Sequence, residues 1–193
     1  MARVHCVRIP CVHIDPATGL LRAVRQVLSP HFDARPQGSA PDLIVVHGIS
    51  LPPGEFGGAW IDQLFTGSLD PGAHLYFRNI AQQRVSAHAL IRRDGQIVQY
   101  VPFQARAWHA GESQYDGRHA CNDFSIGIEL EGTDDLAYED AQYESLGTLV
   151  RALLAAYPSL ASERVVGHSD IAPGRKTDPG SAFDWPRLRR LLA

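Results

Sequence analysis

The stretch Phe124-Ser125-Ile126-Gly127-Ile128-Glu129-Leu130-Glu131 decides the class of fold. Its apolar side chains alternate strictly with small or acidic ones, which is the period-two pattern of a β-strand. The apolar set is expected to face a core, and the residues between them are expected to face a cleft. The segment therefore predicts a strand that presents Glu129 beside the bare Gly127, where a substrate can approach.

Three further segments predict the elements around this strand. Residues 43–46 are four apolar residues bounded by turn formers and Gly48, which indicates a buried strand. An Asp94-Gly95 pair between the β-like runs 88–92 and 97–101 predicts a hairpin. Residues 140–157 carry apolar side chains at intervals of three and four, which is the clearest helix pattern in the chain.

Shorter elements follow from weaker signals. Helices are predicted over 59–65, near 76–80 and over 185–191, the last with Asp184 as its N-cap. Residues 20–28 fit either a helix or an extended segment, and residues 29–41 read as a loop. Together these elements predict an α/β fold, in which a mixed central β-sheet is flanked by helices.

Length and charge narrow the classes of protein. A chain of 193 residues is expected to form one domain, here residues 15–193, with residues 1–14 as an N-terminal extension. The extension is disordered, an edge strand over 7–9, or the result of a start codon assigned too far upstream. The net charge of −3 gives no reason to expect a nucleic acid partner.

The N-terminal residues and the cysteines indicate the cellular compartment of the protein. Residues 1–14 contain basic residues and Pro10 and lack a long apolar core, so they make a poor signal peptide and cannot span a bilayer. Cys6, Cys11 and Cys121 form no disulfide framework and are expected to be free thiols. These features predict a cytoplasmic protein without a membrane partner.

Residues 166–180 (VGHSDIAPGRKTDPG) concentrate reactive side chains in a segment whose Pro and Gly content predicts a shaped loop. His168 follows the β-like run 164–167, and Asp178 comes after the chain has turned back. A catalytic zinc takes three protein ligands and keeps one position open for water. His168 and Asp178 could supply two ligands, and His47, at the end of strand 43–46, is the strongest candidate for the third.

The residues alone leave a second interpretation open. A single histidine is more often a hydrogen-bonded structural residue than a ligand, and the chain has no HxxH or HExxH pattern.

Four segments in the same order resemble the zinc N-acetylmuramoyl-L-alanine amidases: residues 45–58 (VVHGISLPPGEFGG), 84–88 (RVSAH), 122–133 (NDFSIGIELEGT) and 167–180 (GHSDIAPGRKTDPG). The resemblance extends from about residue 29 to residue 188 and is strongest to the members that act on 1,6-anhydro-N-acetylmuramoyl-L-alanine. It implies the single-domain amidase fold shared with peptidoglycan recognition proteins and phage T7-type lysozyme.

The resemblance implies a site around one Zn²⁺ per chain, with His47, His168 and Asp178 as its ligands. Glu129 would move the protons of amide hydrolysis, with Glu131 as the competitor for that role. Lys176 would stabilise the oxyanion of the tetrahedral intermediate.

The resemblance also implies substrate-binding residues. His88 and His109 would line the substrate or support the ligands, and Trp108 would offer a flat face to a sugar or peptide stem. Arg84 is expected to pair with a peptide carboxylate, and Asn122 to form a hydrogen-bonding wall.

Two positions depart from the family pattern. Gly48 stands where close relatives carry asparagine, and Ala120 stands where they carry a second arginine. Neither is a predicted ligand or acid–base group, so both departures bear on substrate affinity.

The function that the resemblance implies is hydrolysis of the amide between the lactyl group of 1,6-anhydro-N-acetylmuramic acid and L-alanine, during cytoplasmic recycling of cell-wall fragments. The substrate would be a small anhydromuropeptide, the enzyme a monomer, and clearing these fragments would indirectly keep an inducible β-lactamase silent. One alternative is an amidase that acts on polymeric peptidoglycan outside the cell. The other is a non-catalytic module that binds peptidoglycan or inhibits a polymerase.

Overall fold

The computed structural model describes residues 12–193, and this part of the chain forms four α-helices and twelve strands. The helices are α1 (Trp60–Thr66), α2 (Asp140–Ala156), α3 (His168–Ile171) and α4 (Trp185–Leu192). The strands are β1 (His13–Ile14), β2 (Leu21–Arg22), β3 (Arg25–Gln26), β4 (Phe32–Asp33), β5 (Leu43–Ile49), β6 (Ala89–Ile91), β7 (Ile97–Gln99), β8 (Arg106–Ala107), β9 (Gln114–Tyr115), β10 (Arg118–His119), β11 (Ser125–Glu131) and β12 (Val165–Gly167).

Six strands form one mixed sheet in the order β12-β5-β11-β6-β7-β3. The first four run parallel, β6 and β7 form the predicted antiparallel hairpin, and β3 is parallel to β7. The predicted mixed sheet with flanking helices is therefore confirmed. Its two longest strands, β5 and β11, lie side by side at its centre.

Both faces of the central strands are buried, as is usual for parallel strands. On one face, Ile126, Ile128 and Leu130 of β11 pack in the core that also receives α2. On the other face the expectation of an open cleft is corrected, because His109 covers Gly127. A Cβ added to Gly127 would lie 2.4 Å from the His109 ring, so this glycine makes room for an imidazole and not for a substrate.

Helix α2 holds one side of the sheet and begins with a reciprocal cap. Gln142 Oε1 accepts a hydrogen bond from the backbone N–H of Glu139, while its Nε2 donates to the carbonyls of Ile91 and Glu131. The Gln142 side chain thus caps the N-terminus of α2 and ties the helix to β6 and β11. The predicted helices over 59–65, near 76–80 and over 185–191 are confirmed by α1, the 3₁₀ turn Leu75–Asn79 and α4, whose N-cap is Asp184.

Two local predictions change. Residues 20–28 are extended, since they form β2 and β3. Residues 166–180 are not wholly a loop, because the segment completes β12 and then forms the single helical turn α3. Its Pro and Gly residues all come after this turn or, like Gly167, directly before it, so they do not oppose a helical turn at His168.

Of the predicted extension, only residues 12–14 lie within the described part of the chain. His13–Ile14 pairs with Leu21–Arg22, and Ile14 is buried against the α2 core. Cys6, Cys11 and the strand predicted over 7–9 lie outside the described residues. Cys121, within them, is a buried free thiol. None of the four helices in residues 12–193 has the length and hydropathy needed to cross a bilayer.

Candidate active site

The register of two parallel strands brings His47 and His168 together. Val46 of β5 pairs with Gly167 of β12, so the next residue of each strand leaves the same edge of the sheet beside its neighbour. Both imidazoles are almost fully buried. Asp178 joins them because the chain after α3 folds back, with Ser169 N–H donating to the Asp178 carbonyl at 3.0 Å.

Three atoms of these side chains converge on one point. The Nδ1 atoms of His47 and His168 lie 2.9 Å apart, and Asp178 Oδ2 lies 3.2 Å from the first and 3.1 Å from the second. Ligands held about 2.0–2.1 Å from a tetrahedral ion are about 3.3 Å from one another. The spacing of the three atoms therefore fits ligands of a single ion.

The chemistry of the donors also fits a cation. His168 Nε2 must donate to the Ala110 carbonyl, 3.1 Å away, so its Nδ1 carries a lone pair. Burial lowers the pKa of His47 to about 4, which keeps this imidazole neutral at neutral pH. Lone pairs on these two nitrogens and on the carboxylate oxygen would repel one another at this distance, unless a metal cation or a proton lies among them. Imidazole and carboxylate suit zinc.

Glu129 is the acidic group nearest to this cluster in the sheet. It pairs with His47 in the register of β11 and β5 and lines the same cleft. Its Oε2 is buried and has no hydrogen-bond partner among residues 12–193. Burial, together with the Asp178 carboxylate, raises the pKa of Glu129 well above its usual value, while Lys176 opposes the shift. A carboxyl group in this state can both accept and return a proton.

Lys176 lies in the exposed turn before Asp178 and lines the same cleft. The sequence contains 18 lysine and arginine residues, and Lys176 is its only lysine. Among the described residues that line the cleft, Lys176 is the one lysine or arginine, and its ammonium is a compact charge.

The cleft above these groups has a volume of about 530 Å³. Trp108 and His109 form one wall, and Gly132, Thr133 and Asp134, which follow β11, form another. The residues of the second wall were not predicted from the sequence. Their position after a central strand could have indicated them, because the ends of parallel strands lie at one edge of a sheet, where ligands bind.

Three predicted substrate residues do not line the cleft. His88 is fully buried, with Nδ1 accepting from Gly127 N–H and Nε2 donating to the Ala105 carbonyl, so its predicted contact with substrate is corrected. Asn122 Oδ1 accepts from the backbone N–H groups of His109 and Ala110 and holds their loop.

Arg84 is exposed, and its guanidinium lies 5.1 Å from the centre of the Trp108 ring. It contacts Trp108 but is not among the residues that line the cleft. Trp108 and His109 are the two predicted substrate residues that the structure places on the cleft surface.

Glu131 faces a different part of the molecule from Glu129. It is 2% exposed, accepts a hydrogen bond from Gly57 N–H at 2.6 Å and pairs with Arg92 at 3.4 Å. These partners occupy the carboxylate away from the cleft. Glu131 therefore anchors the loop after β5, which leaves Glu129 as the acidic strand residue at the site.

The two departures have different settings. A Cβ at Gly48 would lie 2.5 Å from the hydroxyl of Tyr138, which donates to the carbonyl of Pro179 beside Asp178. Gly48 thus makes room for a phenol that braces the ligand loop, a role of Tyr138 for which the sequence carries no signal. Ala120 is exposed, has a left-handed backbone and does not line the cleft.

Comparison with known proteins identifies the family. A family model described as N-acetylmuramoyl-L-alanine amidase matches residues 37–181, which include every residue of the metal cluster. The chain belongs to the N-acetylmuramoyl-L-alanine amidase family. The predicted family, and with it the predicted class of amide hydrolase, is confirmed.

Relatives of this amidase family cover nearly the whole chain. The 1,6-anhydro-N-acetylmuramyl-L-alanine amidase AmpD of Escherichia coli (strain K12) is 66% identical over 175 residues, which make up 91% of this chain and 95% of that protein. A crystal structure of a selenomethionine AmpD derivative matches with a TM-score of 0.89 and 63% identity, over 91% of this chain and 98% of that one.

A more distant amidase has been solved with a substrate. It is the N-acetylmuramyl-L-alanine amidase AmiD from E. coli, in complex with anhydro-N-acetylmuramic acid-L-Ala-D-γ-Glu-L-Lys. The match has a TM-score of 0.59 and 29% identity, and covers 81% of this chain and 60% of that one.

Proposed function

We propose that this amidase is a zinc enzyme that hydrolyses the amide between the lactyl group of 1,6-anhydro-N-acetylmuramic acid and L-alanine, in the recycling of cell-wall fragments. The observation that carries the proposal is the convergence of His47, His168 and Asp178 beneath a cleft that also contains Glu129. The AmpD relatives, by their names, support the anhydro sugar as the substrate.

His47, His168 and Asp178 would hold the zinc, which when bound acidifies water and polarises a carbonyl group. Glu129 takes a proton from the attacking water as its oxygen adds to the amide carbon. It then gives this proton to the amide nitrogen, so that the C–N bond breaks with a carboxylic acid and a free amine as products. The buried Oε2 of Glu129 supports this role, since none of residues 12–193 forms a hydrogen bond to it.

Lys176 supplies fixed positive charge on the other side of the reacting carbon, where the oxyanion develops. Replacing Lys176 with alanine is expected to lower kcat about 10²–10³-fold, the effect of losing one oxyanion-stabilising group. The zinc Kd should change little, because Lys176 contacts none of the three ligand atoms. Steady-state kinetics and zinc titration of the same preparations measure the two effects.

Lys176→Arg serves as the matched variant for Lys176. It keeps the positive charge but replaces the compact ammonium with a planar guanidinium. If charge at this position is sufficient, arginine restores part of the lost rate. Full turnover in Lys176→Ala would remove Lys176 from the mechanism.

The proposed reaction is tested with the compound found in the AmiD complex, anhydro-N-acetylmuramic acid-L-Ala-D-γ-Glu-L-Lys. Zinc-loaded protein is expected to convert it into the anhydro sugar and a free tripeptide, which mass spectrometry separates. Intact sacculi are incubated in parallel. Faster release of peptides from sacculi would replace the proposed substrate with polymeric peptidoglycan. A protein that takes up no zinc when zinc is supplied, and binds the compound without cleaving it, would indicate a binding module.

That the enzyme acts as a monomer stays a prediction. The cytoplasmic location stays a prediction, and so does the division into residues 1–14 and 15–193.

A further inference from the structure

A line of polar groups runs from the sheet to the metal cluster. Ser125 Oγ lies 2.6 Å from the Cys121 carbonyl oxygen and 3.1 Å from His109 Nε2. On the far side of the same imidazole, His109 Nδ1 lies 2.9 Å from His47 Nε2. The other nitrogen of His47 is the one that faces His168 and Asp178.

The direction of each hydrogen bond follows from the first. A carbonyl oxygen only accepts, so the single hydroxyl proton of Ser125 is given to Cys121. Ser125 Oγ can then only accept from His109, which places the proton of His109 on Nε2 and leaves its Nδ1 with a lone pair. That lone pair must accept from His47 Nε2–H. His47 Nδ1 is consequently free of a proton and can bind a cation.

We propose that Ser125, acting through His109, is a positioning residue that holds His47 in the tautomer able to bind zinc through Nδ1. This inference rests on the proposed zinc site. It adds a role for two residues that contact none of the three ligand atoms, and it explains why a serine and a glycine occupy this face of β11.

The surroundings make the line of groups rigid. Ser125 is completely buried, and Gly127 leaves the space that the His109 ring fills. Asn122 holds the backbone N–H groups of His109 and Ala110, and the Ala110 carbonyl accepts from His168 Nε2. One loop therefore orients both ligand imidazoles, His47 through the His109 side chain and His168 through the next carbonyl.

Each ring nitrogen of His109 faces a different group: Nε2 faces Ser125 Oγ, and Nδ1 faces His47 Nε2. A neutral His109 has one proton and two nitrogens, so its tautomer depends on its neighbours. Without the Ser125 hydroxyl, His109 is free to place its proton on Nδ1 and to donate it to His47. His47 would then carry its own proton on Nδ1, which blocks binding.

The test is a zinc titration of the full chain in which Ser125 is replaced by alanine. Loss of an outer hydrogen-bond partner of a metal ligand weakens metal affinity by about 10–100-fold. Ser125 acts through such a partner, His109, so an increase in Kd near the lower end, about tenfold, is expected for Ser125→Ala. Ser125→Thr keeps the hydroxyl and should restore the affinity. Long-range ¹H–¹⁵N correlation NMR of histidine-labelled, metal-free protein reports the tautomers directly. It should show Nε2–H for His47 and His109 in the parent, and a mixture in Ser125→Ala.

Ser145→Ala is the matched control. Ser145 is also a buried serine that donates to a backbone carbonyl, that of Gly95 at 2.7 Å, but it touches no histidine. Both alanine variants lose a buried hydroxyl, so a shared decrease in thermal stability is expected. Only Ser125→Ala should change the zinc Kd and the histidine tautomers.

The outcomes separate this inference from the proposed function. A parent protein that binds no zinc overturns the proposed function. If the parent binds zinc but Ser125→Ala binds it within twofold as tightly, with unchanged histidine tautomers, the role of Ser125 is overturned and the zinc site stands. An equal loss of affinity in Ser145→Ala would reduce Ser125 to a purely structural residue.

Discussion

Glu129→Gln is expected to lower kcat about 10²–10⁴-fold, the usual contribution of a general acid–base group, while zinc stays bound. Glutamine has nearly the shape of the glutamic acid that it replaces but cannot take a proton from water and return it to the leaving amine. The unpartnered Oε2 of Glu129 indicates that the loss falls on the reaction rather than on the fold. Steady-state kinetics with the soluble anhydromuropeptide and zinc analysis of the same protein measure both expectations.

Glu131→Gln provides the control on the same strand. Glu131 is also a buried carboxylate, but it binds Gly57 N–H and Arg92 away from the cleft. Its amide variant should lose thermal stability and keep kcat within a few-fold of the parent. A Glu129→Gln enzyme with parental kcat would remove Glu129 from the mechanism. If Glu131→Gln alone loses turnover, the roles assigned to these two residues would be exchanged.

Asp178→Asn is expected to raise the zinc Kd about 100-fold and to remove most activity at limiting zinc. Structural zinc sites with four ligands bind with about 10–16 kcal/mol, so one ligand accounts for about 3 kcal/mol. That free energy corresponds to a factor of about 100 in Kd. The asparagine keeps the volume of the side chain but loses the charge that, with two neutral imidazoles, makes this set a cation site.

Thermal unfolding measures the same loss independently of turnover. Zinc at 100 times its Kd stabilises the folded parent by about 2.7 kcal/mol. In a chain of this size that free energy raises Tm by about 5–10 °C relative to protein treated with a chelator. The Asp178→Asn variant should lose most of this increase at the same zinc concentration.

Asp170→Asn is the control for this effect. Asp170 lies in the same segment, is exposed, and binds only the backbone N–H of Gly167 at 2.7 Å among the contacts of the described chain. Its variant should keep the zinc-dependent rise in Tm. A full zinc response in Asp178→Asn would remove Asp178 from the ligand set.

Much of the fold could be predicted because its signals are local. The apolar run of β5, the Asp94-Gly95 turn and the spacing of apolar residues in α2 each lie within one element, so backbone preference and burial agree there. Residues 20–28 and the turn α3 could not be decided in this way. Their conformations depend on pairing with β7 and on the fold-back of Asp178, both of which are contacts between distant parts of the chain.

The same distinction between local signals and distant contacts applies to the residues of the candidate site. The resemblance to the amidases named His47, His168, Asp178, Glu129 and Lys176, and the structure brings these five residues to one cleft. For the other predicted residues, the side-chain direction decided the outcome. His88, Asn122 and Arg84 lie in motifs of the family, yet each contacts the supporting structure and not the cleft surface.

The sequence by itself determined the chemistry that this protein has at its disposal: two strand-end imidazoles, a loop carboxylate, a strand glutamate and a single lysine. Only the tertiary structure decided which nitrogen of each imidazole faces Asp178, and which carboxylate of β11 has no hydrogen-bond partner among residues 12–193. A strand specifies the face on which a side chain stands, whereas hydrogen bonds from distant residues determine the position of its proton. In this chain those residues are Cys121, Ser125 and His109, whose positions relative to His47 are set by the packing of the sheet.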